Sequence, residues 1–178
     1  FAGVAEMNVT TGLPRIIEIL DSKQDIKTPS MEIYLVNPYN KGKEIKELAV
    51  SLKETKLGDV TQEFHINIAD YTIEIILNTE KMKGIHLTIN KINKVLTKSA
   101  KGYNIKQKDN TFILKTKGKD HSLNDLYRTK EKIKNLYVTG IKGITQVLPI
   151  KRDDEFIIIT SGTNLKDVLA RPEVDPTR

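Results

Sequence analysis

The side chains able to perform acid–base, nucleophilic or metal chemistry are scattered along this sequence. The three histidines, His65, His86 and His121, stand at no spacing that would bring two imidazoles to one metal, such as H-x-x-x-H on a helix. They read as exposed or half-buried polar positions. The run Asp153-Asp154-Glu155 has the composition of a divalent-cation site. It lies between two apolar stretches, however, where Asp is favoured for the backbone reasons that make turns. Ser30, Ser51, Ser99, Ser122 and Ser161 have no G-x-S-x-G context. There is no P-loop and no G-x-G-x-x-G. With no cysteine, disulfides and thiolate metal sites are excluded.

Two patterns remain that could hold a nucleic acid. "GIKG" at 140–143 matches the G-x-x-G loop with which KH modules clamp a nucleotide backbone. A KH loop joins two helices, whereas this one leads into the strand-like "ITQVLPI". The competing reading is a turn that needs two flexible residues. The stretch "KSAKGYNIKQKDNTFILKTKGK" interleaves lysines with Tyr103 and Phe112, as single-strand binders do. It is equally the pattern of a hairpin whose lysines guard an edge against strand addition. The formal net charge of +6 and the pI of about 9.3 favour anionic partners without naming them. A lysine-rich background composition would contribute to the same balance.

The elements that would carry these residues follow from periodicity. Pro14 suits the first turn of a short helix, "PRIIEILD", expected to bury Ile16, Ile17 and Leu20 and to end near Ser22. "MEIYLV" alternates as a strand. "KEIKELAVSLKE" places Ile45, Leu48, Ala49 and Leu52 on one helical face, with Gly58 as its terminator. "DVTQEFHINI" alternates again, so 31–68 reads as a strand–helix–strand unit. From residue 72 the order is β-α-β-β-α-β, the split βαβ order, with one extra strand. Its parts are "TIEIIL", a stripe of Ile85, Ile89, Ile92 and Leu96, a hairpin tipped by Asp109-Asn110, and a helix capped by Ser122. That helix is expected to bury Leu123, Leu126, Ile133, Leu136 and Tyr137. A second hairpin turns through "KRDD". Such a sheet covers one face with helices and leaves the other open to a partner. The expected class is α+β, with mixed or antiparallel sheets and packed helices. The segments are 1–30, 31–71, 72–160 and a tail, 161–178, that holds a short helix broken at Pro172. No run approaches the ~18–20 apolar residues that span a bilayer. No signal peptide is visible, so no membrane partner is expected, and a cytoplasmic location is.

The first residue is not Met, and both ends read as severed from something larger. The opening "FAGVAEMNVTTGLPRIIEILD" resembles the stretch after the trigger loop in the largest subunit of multisubunit RNA polymerases of the archaeal and eukaryotic type. The matching residues are Ala2-Gly3-Val4, Asn8-Val9-Thr10, Gly12-Leu13-Pro14-Arg15 and Glu18-Ile19. "KTPSMEIYL" resembles the strand that follows in that family. "GTNLKDVLARPEVDPTR" resembles its G-x-N-L-x-x-V-L…G-V-D-P-T-R, with Glu173 where the family usually has Gly. The likeness is specific at both ends and diffuse over about 38–135. It is closest to the archaeal form, in which the subunit is split in two and this would be part of the C-terminal piece.

The resemblance implies the jaw and adjoining cleft, which line the channel for downstream DNA. It implies that the catalytic aspartates and their Mg²⁺ belong to another chain. This chain would then have no cofactor and no catalytic residue of its own, and alone no nucleotidyltransferase activity. Arg178 would be the likeliest template contact. Asn8, Thr10, Thr11 and Arg15 would sit at the trigger-loop base and border the cleft. Asn8 and Thr10 fit equally as caps of the short helix, and Arg15 as a salt-bridge partner for a neighbouring element. The implied partners are DNA, the N-terminal half of the largest subunit, the second-largest subunit and a small assembly subunit near the jaw. The alternative is a stand-alone RNA-binding module using "GIKG".

Overall fold

The computed structural model describes residues 9–42, 44–117 and 122–177. The strands, in chain order, are β1 (Ser30–Tyr34), β2 (Thr55–Lys56), β3 (Thr61–Asn67), β4 (Thr72–Leu77), β5 (Tyr103–Lys108), β6 (Thr111–Thr116), β7 (Tyr137–Thr139), β8 (Gln146–Arg152) and β9 (Glu155–Ser161). The helices are α1 (Leu13–Leu20), α2 (Ile45–Leu52), α3 (Leu57–Val60), α4 (Thr79–Gly84), α5 (Ile89–Ser99), α6 (Leu123–Lys134) and α7 (Leu165–Leu169). The fold is α+β, and its sheets are antiparallel. The chain divides into two compact units. One lies within Phe1–Glu54 and Gly140–Arg178, and the other, Thr55–Thr139, interrupts it in sequence.

In the first unit three strands pair in the order β1-β9-β8. Asp153 and Asp154 both take positive φ in the β8–β9 turn, so the acidic run is a hairpin turn. Ile33 and Ile158 from the sheet pack with Ile45, Leu48, Ala49 and Leu52 of α2, and with Val168 of α7. The α2 stripe is therefore buried as its spacing requires, but the helix stops at Leu52, and Gly58 belongs to α3. A second departure concerns β1. It pairs with β9 and not with β3, joining residues that the sequence-based segmentation keeps apart. Alternation identifies a strand but carries no information about its distant partner.

The second unit is built on a four-stranded sheet in the order β3-β4-β6-β5. β4 and β5 run parallel with β6 between them, which is the split βαβ arrangement; β7 pairs with β2 instead of joining that sheet. Ile73, Ile75 and Leu77 of β4 and Phe112 and Leu114 of β6 point to the helix-covered face. There they meet Met82, Ile92 and Leu96 of the α4–α5 segment, and Leu126 and Ile133 of α6. Burying such a side chain contributes about 1.5–3 kcal/mol. The α4–α5 stripe breaks across residues 85–88, and Leu123 stays exposed, so α6 buries fewer residues than its spacing suggests. On the opposite face of the sheet lie His65, Glu74, Ile113 and Lys106 in one cross-strand row.

Candidate nucleic-acid interface

The short helix α1 reverses its expected orientation. Ile16, Ile17 and Leu20 are 52%, 42% and 77% exposed, while Glu18 is 6% exposed. The Glu18 carboxylate accepts the Lys27 backbone N–H at 3.4 Å and a guanidinium N–H of Arg15 at 3.3 Å. An apolar stripe shows which residues share a face, but not whether anything in the chain covers it. Thr10 is fixed by Thr28. Its backbone N–H donates to Thr28 Oγ1 at 2.7 Å, and Thr28 Oγ1 donates to Thr10 Oγ1 at 2.7 Å. Thr10 therefore ties the segment before α1 to the segment before β1. It caps nothing, and Gly12 occupies the N-cap position without a side-chain bond. Thr11 is exposed. Arg15 is a salt-bridge partner, within its own helix. Asn8, Arg178 and His121 lie outside the described residues.

The "GIKG" segment runs from β7 toward β8, not between two helices. Gly140 and Gly143 have φ of +90° and +91°, the region that favours glycine. A Cβ on Gly140 would come within 1.9 Å of the Lys53 carbonyl oxygen. The Gly143 N–H donates to Glu54 Oε2 at 2.8 Å, and Asn164 Nδ2 donates to the Lys142 carbonyl at 2.9 Å. The protein itself thus occupies backbone groups of this loop, which makes it a structural turn.

The remaining chemistry-bearing residues do not converge. His65 Nε2 lies 2.8 Å from Glu63 Oε2 on an exposed strand, and Lys151 pairs with Asp154 at 2.9 Å. Among the described residues no three His, Asp or Glu side chains are grouped as metal ligands would be. Arg152 donates two bonds of 3.0 Å to the Glu32 carboxylate. Those bonds hold the Glu32 carboxyl below the usual carboxylate range, against a smaller opposing effect of burial.

What does converge is positive charge. Thr55–Thr139 holds 16 Lys and Arg against nine Asp and Glu, a net +7. The other unit holds 13 against 14, a net −1. Within the basic unit, residues 81–108 contain eight lysines and no acid. α5 carries Lys91, Lys94 and Lys98, with Lys101 just beyond its end. Sequence reasoning singled out Lys98 and the lysines of the β5–β6 hairpin and passed over Lys91 and Lys94 of α5. The absence of acids over 81–108 was the available signal.

Fold and site together define an α+β protein whose distinctive chemistry is electrostatic, concentrated in one sequence-contiguous unit. The chain belongs to the family described as RNA polymerase Rpb1, domain 5, whose model matches residues 1–178. It is accordingly a C-terminal region of the largest subunit of a DNA-directed RNA polymerase, a nucleotidyltransferase. That membership makes DNA and the other polymerase subunits its partners.

Proposed function

We propose that this chain is the jaw and adjoining cleft of an archaeal-type polymerase, guiding duplex DNA ahead of the catalytic centre. The acid-poor unit Thr55–Thr139 is the jaw. The near-neutral unit is the cleft border, and the exposed aliphatic side chains of α1 dock against other parts of the polymerase. Contiguous exposed aliphatic side chains mark an interaction surface. The observation that carries the reading is the segregation of charge, +7 in one unit against −1 in the other. A guide for moving duplex needs phosphate attraction and no base readout, and a lysine-rich surface supplies that. The Mg²⁺ and the aspartates that hold it belong to another chain, and the assembled enzyme works in the cytoplasm. Arg178 is the template contact, and Asn8, Thr10, Thr11 and Arg15 sit at the trigger-loop base and border the cleft.

The test is photo-crosslinking in an assembled elongation complex, with reactive groups on DNA phosphates downstream of the catalytic centre. Adducts should map to residues 55–139. Labelling of other chains with none on these residues would remove the jaw assignment.

A further inference from the structure

α5 and the start of β5 form a continuous polar strip. Asn90, Asn93, Lys94, Thr97 and Lys98 line one shallow depression. Asn93 and Thr97 also line a second, together with Lys101, Asn104 and Lys117. The two depressions share a wall, so the strip runs along α5 and onto the strand edge. Tyr103 forms part of the floor, held by its hydroxyl, which donates to Thr129 Oγ1 at 3.0 Å. Beneath the strip, Ile92 and Leu96 anchor the helix in the core with no exposure, so its outward side chains stand on a fixed support.

The charge pattern argues against simple solvation. Exposed helix faces ordinarily mix signs, and a Glu placed four residues from a Lys stabilises the helix. Here Lys94 and Lys98 stand at i and i+4, where like charges repel. No Asp or Glu lies anywhere between residues 81 and 108 to offset them. The neighbouring face on α6 differs, since Glu131 stands among Arg128, Lys132 and Tyr127. The amides on the strip are of a kind that donates to phosphate oxygens without reading bases, while the Thr97 hydroxyl donates to the Asn93 carbonyl at 2.8 Å. From Asn90 to Lys98 the helix rises about 12 Å, which equals the axial rise of three to four phosphates of one strand for a helix lying along the duplex axis.

We propose that the α5–β5 strip, through Lys94, Lys98, Lys101 and Lys117, is a seat for one phosphate backbone of duplex DNA. The choice of duplex rests on the jaw reading, while the location of the seat rests on the strip alone. The experiment is equilibrium binding of the full chain to a mixed-sequence DNA duplex across 50–200 mM salt. Three proteins are compared: the unchanged chain, K94Q/K98Q/K101Q/K117Q, and K23Q/K46Q/K132Q/K166Q, which removes the same charge from exposed sites elsewhere. Four lost phosphate contacts lower the slope of log K against log salt by about 3.6 and weaken binding at 50 mM at least tenfold. The control set should change the slope by less than about 1. Replacing the four strip lysines by Arg should retain the slope; should the Gln set fail to fold, K94Q/K98Q decides the matter, lowering the slope by about 1.8 if the seat is right and leaving it unchanged if it is not. Equal losses in the two Gln sets would overturn the seat and leave the jaw reading standing. A strip-dependent preference for single-stranded RNA would overturn the choice of duplex. No binding by the unchanged chain at 50 mM would also overturn the seat, while the crosslinking experiment judges the jaw reading separately.

Discussion

Gly140 and Gly143 offer a paired perturbation whose outcome follows from geometry. Both have φ near +90°, so Ala at either site loses about 1–2 kcal/mol from backbone strain. The sites differ in what the new methyl group meets. At Gly143 the nearest atom is the Thr163 carbonyl oxygen at 3.3 Å, which a small shift accommodates. At Gly140 it is the Lys53 carbonyl oxygen at 1.9 Å, with the Lys53 carbonyl carbon at 2.6 Å. Both are backbone atoms, and the chain there is held by the bond from the Glu54 N–H to the Ile144 carbonyl at 2.8 Å. Overpacking of this kind adds about 1–3 kcal/mol. Gly140→Ala should therefore lose about 2–5 kcal/mol and Gly143→Ala about 1–2 kcal/mol. For a chain of this size, 1 kcal/mol corresponds to roughly 2–4 °C in Tm. Thermal unfolding followed by circular dichroism measures both variants in one series. Equal losses would refute the steric argument. A Gly143→Ala protein of full stability that no longer bound nucleic acid would refute the reading of "GIKG" as a structural turn.

Three further outcomes follow. Ile75→Ala, at a fully buried position in the central strand β4, should cost about 2–5 kcal/mol in urea unfolding, whereas Ile16→Ala should stay within about 0.5 kcal/mol. Glu32→Gln should lose about 0.2–1 kcal/mol at pH 7, since the pair with Arg152 is largely exposed. The Glu32 carboxyl is depressed in the folded state, so its contribution is present above the ordinary carboxylate pKa and is lost as pH falls through the folded value. The two proteins should accordingly converge in stability in acid. Ser122→Ala removes the acceptor for the Asp125 N–H at the start of α6 and should cost about 1 kcal/mol, read by chemical denaturation.

Local structure was legible wherever a single element settled it. The α2 stripe, the strand β4, the Ser122 cap and both hairpin turns are visible in the residues because each depends on neighbours a few positions away. Long-range choices were not. Nothing local to "MEIYL" reveals that it pairs with Glu155–Ser161 across more than 100 residues, and nothing in "PRIIEIL" reveals that Glu18 turns inward. The candidate interface was half legible. Net charge was plain, yet its confinement to one unit emerged only once that unit's limits were known. Of the residues singled out by resemblance near the start of the chain, Thr10 ties two segments together, Arg15 pairs with Glu18 and Thr11 is exposed.

As proposed, this chain contributes charge and shape to DNA handling and no chemistry to bond formation. The most direct measurement compares polymerase assembled with the unchanged chain and with the K94Q/K98Q/K101Q/K117Q chain, recording salt tolerance of elongation complexes and nucleotide-addition rate together. The account predicts dissociation at lower salt with the addition rate at saturating nucleotide unchanged. A slower addition rate with undiminished salt tolerance would contradict it.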